Sequence, residues 1–380
     1  MSLPKVIITY SNKNLLAAID AVDGICGIIG TVATVGLQGL PKQVFSLADA
    51  EDKGFTVGAE PAFHRHLKEF YDEVGGEQEL WIIGTPAAML MSDMLDNTEL
   101  NGAIKLIKAA NGAIRTLGVF RTGAKAGAVF LDTDVSDAIL AAKTFCETRL
   151  AELIPLRVLI EGRVNDETNG TVYEPKTASV GFAGVVLGGS ANDGSASIGT
   201  ALGRKAKYGA HIKLGKVANG PLALTTAYIG TKPINDIAGL ATLHGKGYIS
   251  FMQHPNKAGY YFGIDRMAST DDFRLLVYGA VIDKAAIIAA AVYVEELESE
   301  VDVDPVTGYI NEIDIEHLKG VITQQINKSM ADQISGVSVI IDPKQNIINT
   351  GKLMVKVKVT PKGYTSVIEV ELGLNAPLAI

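Results

Sequence analysis

Toward its C-terminus the chain alternates apolar and polar residues with period two, twice in succession. Leu353, Val355, Val357 and Val359 alternate with Lys352, Lys356, Lys358 and Thr360, the pattern of a β-strand with one buried face. A turn at Pro361, Lys362 and Gly363 follows. Ile368, Val370, Leu372 and Leu374 then alternate with Glu369, Glu371 and Gly373, so a second amphipathic strand runs almost to the last residue. An edge strand in such a position offers unpaired backbone groups to another chain. The pattern predicts a chain that assembles first and catalyses, if at all, second.

At 380 residues the chain has room for two domains, each burying its own core. With 47% hydrophobic and 20% charged residues it is globular rather than disordered. The mean hydropathy of +0.22 has two explanations, a large core rich in Ala, Val and Ile, or apolar area buried only between subunits. A net charge of -8 and no basic cluster speak against a nucleic-acid partner, because phosphate binding needs a clustered basic surface. Cys26 and Cys146 lie far apart without metal spacing, which predicts two buried thiols in a reducing compartment. Polar residues 11–14 stand where a signal peptide needs an apolar run, and the longest apolar runs, 285–294 and 180–187, are too short for a bilayer. The expectation is a cytosolic chain without membrane insertion.

Read for organisation, residues 5–10 form a short strand and residues 25–35 a buried one. Ser46 caps a short helical turn, 62–74 is a helix with Phe63, Leu67, Phe70 and Tyr71 on one face, and 80–84 is a buried strand. Helix and strand continue to alternate through 103–110, 135–153 and 157–161, which favours an α/β layer. Ser269 with Asp272 imitates a capping box and opens a helix predicted over 271–298. An acidic tract follows from Glu295 to Glu316, then a helix over 315–334 and a strand over 337–341.

Each motif that suggests chemistry fails a specific requirement. Residues 239–247 imitate a phosphate loop but have one residue too many before Gly245 and Lys246, and Gly247 replaces the magnesium-binding hydroxyl. The glycines 188, 189 and 194 lack dinucleotide-binding spacing, and a flexible surface loop is expected there. On a helix His64 and His66 point about 200° apart and share no metal. Asp302 and Asp304 open a calcium-like loop, but Val306, Thr307 and Ile313 stand at positions that need a ligand, a turn glycine and a bidentate Glu. No catalytic residue, metal ligand or cofactor is assigned, and the chain is read as a non-enzyme. The alternative reading is an α/β enzyme that binds a nucleotide or sugar at the loop near Gly188.

Several segments form an ordered series. At the start these are 24–30 (Gly-Ile-Cys-Gly-Ile-Ile-Gly), 41–49 (Pro-Lys-Gln-Val-Phe-Ser-Leu-Ala-Asp), and the helix 63–71 with Gly75, Gly76 and 80–83. In the middle they are 197–204 (Ser-Ile-Gly-Thr-Ala-Leu-Gly-Arg) and 259–265 (Gly-Tyr-Tyr-Phe-Gly-Ile-Asp). The last 120 residues carry the most specific part: 272–274, 281–284, 308–310, then 346–353 leading to 359–363 and 368–372. Taken in order, these segments resemble contractile tail sheath proteins. The resemblance implies a structural subunit of a contractile machine, a phage tail, a pyocin-like particle or a type VI-like system, that stacks as hexameric rings around an inner tube. It implies an α/β (α+β) subunit of two domains. An inner domain is built from residues 1–25 and 256–380, and an outer domain, 26–255, is inserted between them. Partners would be further copies of itself, the inner tube protein, and baseplate and tail terminator proteins. The chain would assemble in the bacterial cytoplasm and end in a virion tail or injection particle. A further alternative is another phage structural component, such as a tube or capsid protein.

Three groups of residues follow as the expected assembly site. Intersubunit strands would use Val6, Ile8 and Tyr10 at one end, Val339, Ile341, Val355, Val357 and Val359 in the host, and Ile368, Val370 and Leu372 at the other end. Lys356 and Lys358 would meet Glu369 and Glu371 of another subunit, since opposite charges across paired strands help hold register. Lys319 and Lys328, beside polar Gln324, Gln325 and Asn327, would face the tube across a wet, releasable contact.

Overall fold

The computed structural model describes residues 23–371 apart from 100, 128 and 167. The expected alternation becomes one eight-stranded sheet of β1 (Cys26–Val32), β2 (Lys42–Val44), β3 (Leu80–Pro86), β4 (Thr116–Phe120), β5 (Arg157–Gly162), β6 (Ala183–Leu187), and, after a separate small hairpin of β7 (Tyr228–Ile229) and β8 (Lys232–Pro233), β9 (Tyr248–Met252) and β10 (Tyr261–Phe262). Its order is β10-β9-β6-β5-β4-β1-β3-β2. The six inner strands are parallel, and β2 and β10 close the two edges antiparallel. Every residue of β1, β4, β5 and β6 is buried, as uninterrupted apolar strands require when helices cover both faces.

Those helices are α1 (Leu47–Asp52), α2 (Pro61–Val74), α3 (Met91–Met94), α4 (Ala103–Ala109), α5 (Asp134–Ala151), α6 (Ile198–Lys207) and α7 (Leu240–Lys246). Ser46 caps α1 as expected, its hydroxyl accepting from the Asp49 N–H at 3.1 Å. Helices α2 and α6 cross at very short range. A Cβ on Gly199 would lie 1.9 Å from the carbonyl oxygen of His66, and one on Gly203 would lie 2.6 Å from that of Phe70. The glycines of the 197–204 segment therefore let two backbones meet over the sheet. On the opposite face Gly27 looks toward Leu106 of α4.

The remaining elements form a second packed unit: α8 (Leu276–Glu295), α9 (Glu312–Met330), β11 (Ile334–Ile341), α10 (Ile347–Thr350) and β12 (Val355–Pro361). Ile282, Ala285 and Ile288 of α8 and Ile322, Ile326 and Met330 of α9 build a core beneath the β11–β12 pair. By length and composition α8 is long and apolar enough to cross a membrane, longer than the 285–294 run suggested. Most of it is buried inside the protein, and its Asp283 and Lys284 are both ion-paired there.

Three local expectations need correction, and a fourth segment takes a form that the sequence did not specify. Helix α8 begins at Leu276 rather than 271, because Ser269 Oγ accepts from the Asp271 N–H and Asp271 Oδ1 from the Phe273 N–H, side-chain bonds that hold turns in place of helix. Helix α9 starts earlier, with Asn311 accepting from the Ile313 N–H, and stops at Met330, since Ile334 is already paired with Pro361 in β11. The phosphate-loop imitation is helix α7, and Gly247 is its left-handed cap at φ 107°. The sheet and its core continue past residue 255, through β10 to Leu276.

Candidate assembly interface

Strands β11 and β12 pair antiparallel, with Val337 opposite Val359, Val339 opposite Val357 and Ile341 opposite Val355. These six side chains form the inner face, Ile341, Val357 and Val359 fully buried and the others half-buried against α8 and α9. Period two then sends Ser338, Ile340, Lys356 and Lys358 outward, all exposed. Lys356 stands opposite Ile340 and Lys358 opposite Ser338, so neither lysine meets an acid within the pair. Neither outer edge of this two-stranded sheet is paired among the described residues.

Residues 364–371 form no strand within the chain. Val367, Ile368 and Val370 are 74%, 79% and 71% exposed, and Glu369 and Glu371 are exposed beside them, so the apolar half of the alternation has no cover of its own. This segment leaves from a fixed point. The Tyr364 hydroxyl donates to the His211 carbonyl at 2.6 Å, and its ring lies 5.8 Å from Tyr278 and 5.5 Å from the Lys213 ammonium. Val6, Ile8, Tyr10 and Leu372 lie outside the described residues.

On α9 the buried stripe is Ile315, Leu318, Ile322, Ile326 and Met330. Lys319 pairs with Glu316 at 2.6 Å, and Lys328 is exposed with Gln324 and Asn327. In the acidic tract before it, Asp304 Oδ1 accepts from the Thr307 and Val306 N–H groups, bonds that hold its carboxyl below the usual range, while the Asp302 N–H donates to Asp314. The acids order a solvated turn. No group of three or more His, Cys, Asp or Glu able to hold a metal ion occurs among the described residues. His64 turns to Glu51 at 2.6 Å and His66 to Glu69 at 3.4 Å, the divergence that helical spacing predicted.

What sequence reasoning missed is the joint between the two units. Arg157, at the start of β5, donates from Nε and a terminal nitrogen to the two oxygens of Asp283 on α8, both at 2.6 Å, and its guanidinium lies between Phe182 and Phe273 at 4.7 and 5.5 Å. A Cβ on Gly279 would lie 2.6 Å from Arg157 Nε, so that glycine leaves room for the pair. Lys284 and Gln333 both reach Asp23, at 2.8 and 3.1 Å. Nearby, burial pushes the carboxyl of Asp265 up to about 6, with Lys213 at 3.6 Å pulling the other way. A signal was present in the sequence, since two charges inside a 20-residue apolar helix require partners. The partners' positions were not readable.

The loop near Gly188 is built rather than flexible. The Ser190 and Ser197 hydroxyls donate to Glu69 Oε1 of α2 at 2.6 and 2.7 Å, and Gly188 takes φ 96° with its Cα pressed toward the Tyr228 carbonyl. Loop and helix are thereby tied together.

A family model described as DUF2586, N-terminal domain, matches residues 3–266. No curated protein sequence matches the chain. Among solved structures, the helical sheath of the anti-feeding prophage in its contracted state is similar over 99% of this chain and 100% of that one, at 15% identity and a TM-score of 0.63. The sheath complex of an extracellular contractile injection system, PVC, also contracted, is similar over 99% and 98%, at 13% identity and 0.62. A chain of the anti-feeding prophage baseplate is similar over 99% and 100%, at 14% identity and 0.61. The likeness is one of fold, and it runs the whole length of the chain.

Proposed function

Because this chain belongs to the DUF2586 family and has the fold of contractile sheath subunits, we propose that it is a structural subunit of such a sheath. It polymerises as stacked hexameric rings around an inner tube and contracts to drive that tube through a target envelope. The observation that carries this reading is the two-stranded β11–β12 sheet with unpaired edges, in the same chain as an alternating segment whose apolar side chains are exposed. Strand addition satisfies both at once, because backbone pairing is directional and tolerant of sequence. In this reading residues 6–10 and 367–374 of one subunit extend the β11–β12 sheet of its neighbours. Main-chain bonds of that kind persist while side-chain contacts repack during contraction.

The finer assignments rest on the same reading. Glu369 and Glu371 of one subunit lie against Lys356 and Lys358 of another, and Lys319 and Lys328 on α9 face the tube protein. The unit containing α8, α9, β11 and β12 is the inner domain and the eight-stranded layer the outer one. Partners are other copies of the chain, tube, baseplate and terminator proteins. Assembly takes place in the bacterial cytoplasm, the mature particle being a tail or injection device, and no catalytic centre or cofactor is required.

Deleting residues 366–380 tests the proposal directly. The truncated chain should fold, with an unchanged circular dichroism spectrum, and form no rings or striated tubes in negative stain. Tubes from the truncated chain would remove the donated strand. Glu369→Lys with Glu371→Lys should impair assembly, and adding Lys356→Glu with Lys358→Glu should restore it. A quadruple variant no better than the double removes the charge pairing.

A further inference from the structure

Where the parallel strands end, a cavity of about 430 Å³ opens between α2, the segments after β4 and β5, and the glycine loop at 188–197. The chain winds from β1 out to β3, returns across β1 to β4, and continues through β5, β6 and β9. Its winding thus reverses between β1 and β4, and in open α/β sheets the crevice at the carboxyl ends beside such a reversal is where ligands sit. Thr122, on the cavity wall, is bonded to Thr31 at the end of β1 through both hydroxyl and N–H, each at 2.8 Å. The volume suits a small molecule.

The cavity wall is built from buried charge. Arg121 and Arg163 are 6% and 3% exposed, and both are held from behind by Asp132, Arg121 also by Asp134 at 3.0 Å. Their charges are therefore answered and their positions set. At the mouth the balance differs. Arg65 donates to Asp193 and Ser195, both at 2.8 Å, and the Lys125 ammonium donates to the carbonyl of Asp193 at 2.7 Å. Burial and the neighbouring Arg163 charge hold Lys125 below its ordinary pKa, against the opposite pull of Asp193 and Glu161, both of which also line the cavity. The backbone N–H groups of Gly123, Ala124 and Lys125 find no partner among the described residues. Buried His66, 1% exposed, also lines the cavity, and its Nε2 is unpartnered. Gly194 keeps the space open, since a Cβ there would lie 2.4 Å from Lys125 Nζ.

We propose that this cavity binds a small phosphate-bearing molecule, its phosphate taken by Lys125, Arg65 and the N–H groups of residues 123–125. Successive backbone N–H groups beside an ammonium make an anion-binding concavity, and a guanidinium adds a planar pair of donors. Phosphate fits this set better than a carboxylate because it brings three acceptor oxygens to donors that arrive from two sides. The inference stands apart from the assembly reading, for none of these residues belongs to the β11–β12 unit.

The test uses the full, unassembled chain with inorganic phosphate as the probe, followed by calorimetric titration and thermal unfolding at ionic strength matched with sodium chloride. Phosphate should bind saturably and raise Tm while chloride does not. Lys125→Ala should leave the Tm of the unliganded chain unchanged and weaken binding by about tenfold or more, as loss of a charge-assisted bond implies. Arg65→Gln should weaken it similarly. The proposal is overturned if phosphate does no more than chloride, if both variants bind as the parent does, or if sodium acetate binds as well as phosphate.

Discussion

The eight-stranded layer and the β11–β12 unit bury their strands in opposite ways. In β1, β4, β5 and β6 no residue reaches solvent, and helices lie on both faces. In β11 and β12 only every second side chain is covered, and the sheet ends after two strands. A layer closed on both faces and edged by antiparallel strands leaves few backbone groups to recruit a partner. A two-stranded sheet is marginal alone and gains from each strand added. The contrast teaches that this chain joins a self-sufficient body to an incomplete one, and that a buried ion pair between Arg157 and Asp283 lies within the apolar contact that joins them.

Substitutions separate the two regions, the joint giving the largest effect. Asp283→Ala leaves Arg157 charged and buried without its carboxylate, and should cost about 3–5 kcal/mol in denaturant unfolding. A cost below about 1 kcal/mol would mean that body and hairpin unit unfold independently, which breaks the comparison. Asp265→Asn comes next. Its carboxyl is raised in the fold, mainly by burial, so its contribution to stability is present below about pH 4 and is lost as pH rises through about 6. The Asn variant should gain about 1–3 kcal/mol over the parent at pH 8 and nothing at pH 4, read from Tm at the two pH values. Equal Tm differences at both would show that Asp265 is charged throughout.

Smaller effects sharpen the contrast. Asn311→Ala removes the cap of α9 and should cost about 1 kcal/mol, with hydrogen exchange rising in the α9 and β11 amides and not in β1 or β4. On the outer face, Lys356→Glu with Lys358→Glu should change the stability of the unassembled chain by less than about 0.5 kcal/mol, because both side chains are exposed and unpaired within the sheet. A larger loss would mean that the lysines stabilise their own subunit.

Helix and strand in the body were legible because apolar runs and glycine punctuation are local properties. The Ser46 cap, the α2 stripe and the inward set of β12 came out as the periodicities require. Element ends were less legible. Side-chain bonds at Ser269 and Asp271 displaced the start of α8, and strand pairing at Ile334 shortened α9. In the proposed assembly site, the alternation of residues 355–359 was visible directly, including which residues face outward, whereas residues 368–371 form no strand within the chain. The charges at Asp283, Lys284 and Asp265 gave no such guidance, since a charge in an apolar run announces a partner without locating it.

Sequence alone determined that the chain alternates helix and strand, that its C-terminal strands are two-faced, and that its resemblance is to sheath proteins. These follow from periods of 3.6 and 2 and from an ordered series of short segments, all readable within a few residues. Only the tertiary structure decided that Arg157 meets Asp283 across 126 positions of chain, that Gly199 and Gly203 bring α2 onto α6, and that Lys125 and Arg65 reach one cavity. Such encounters are set by the order in which strands join the sheet, a long-range choice governed by how all the apolar surfaces can be covered at once, and local spacing carries no record of it.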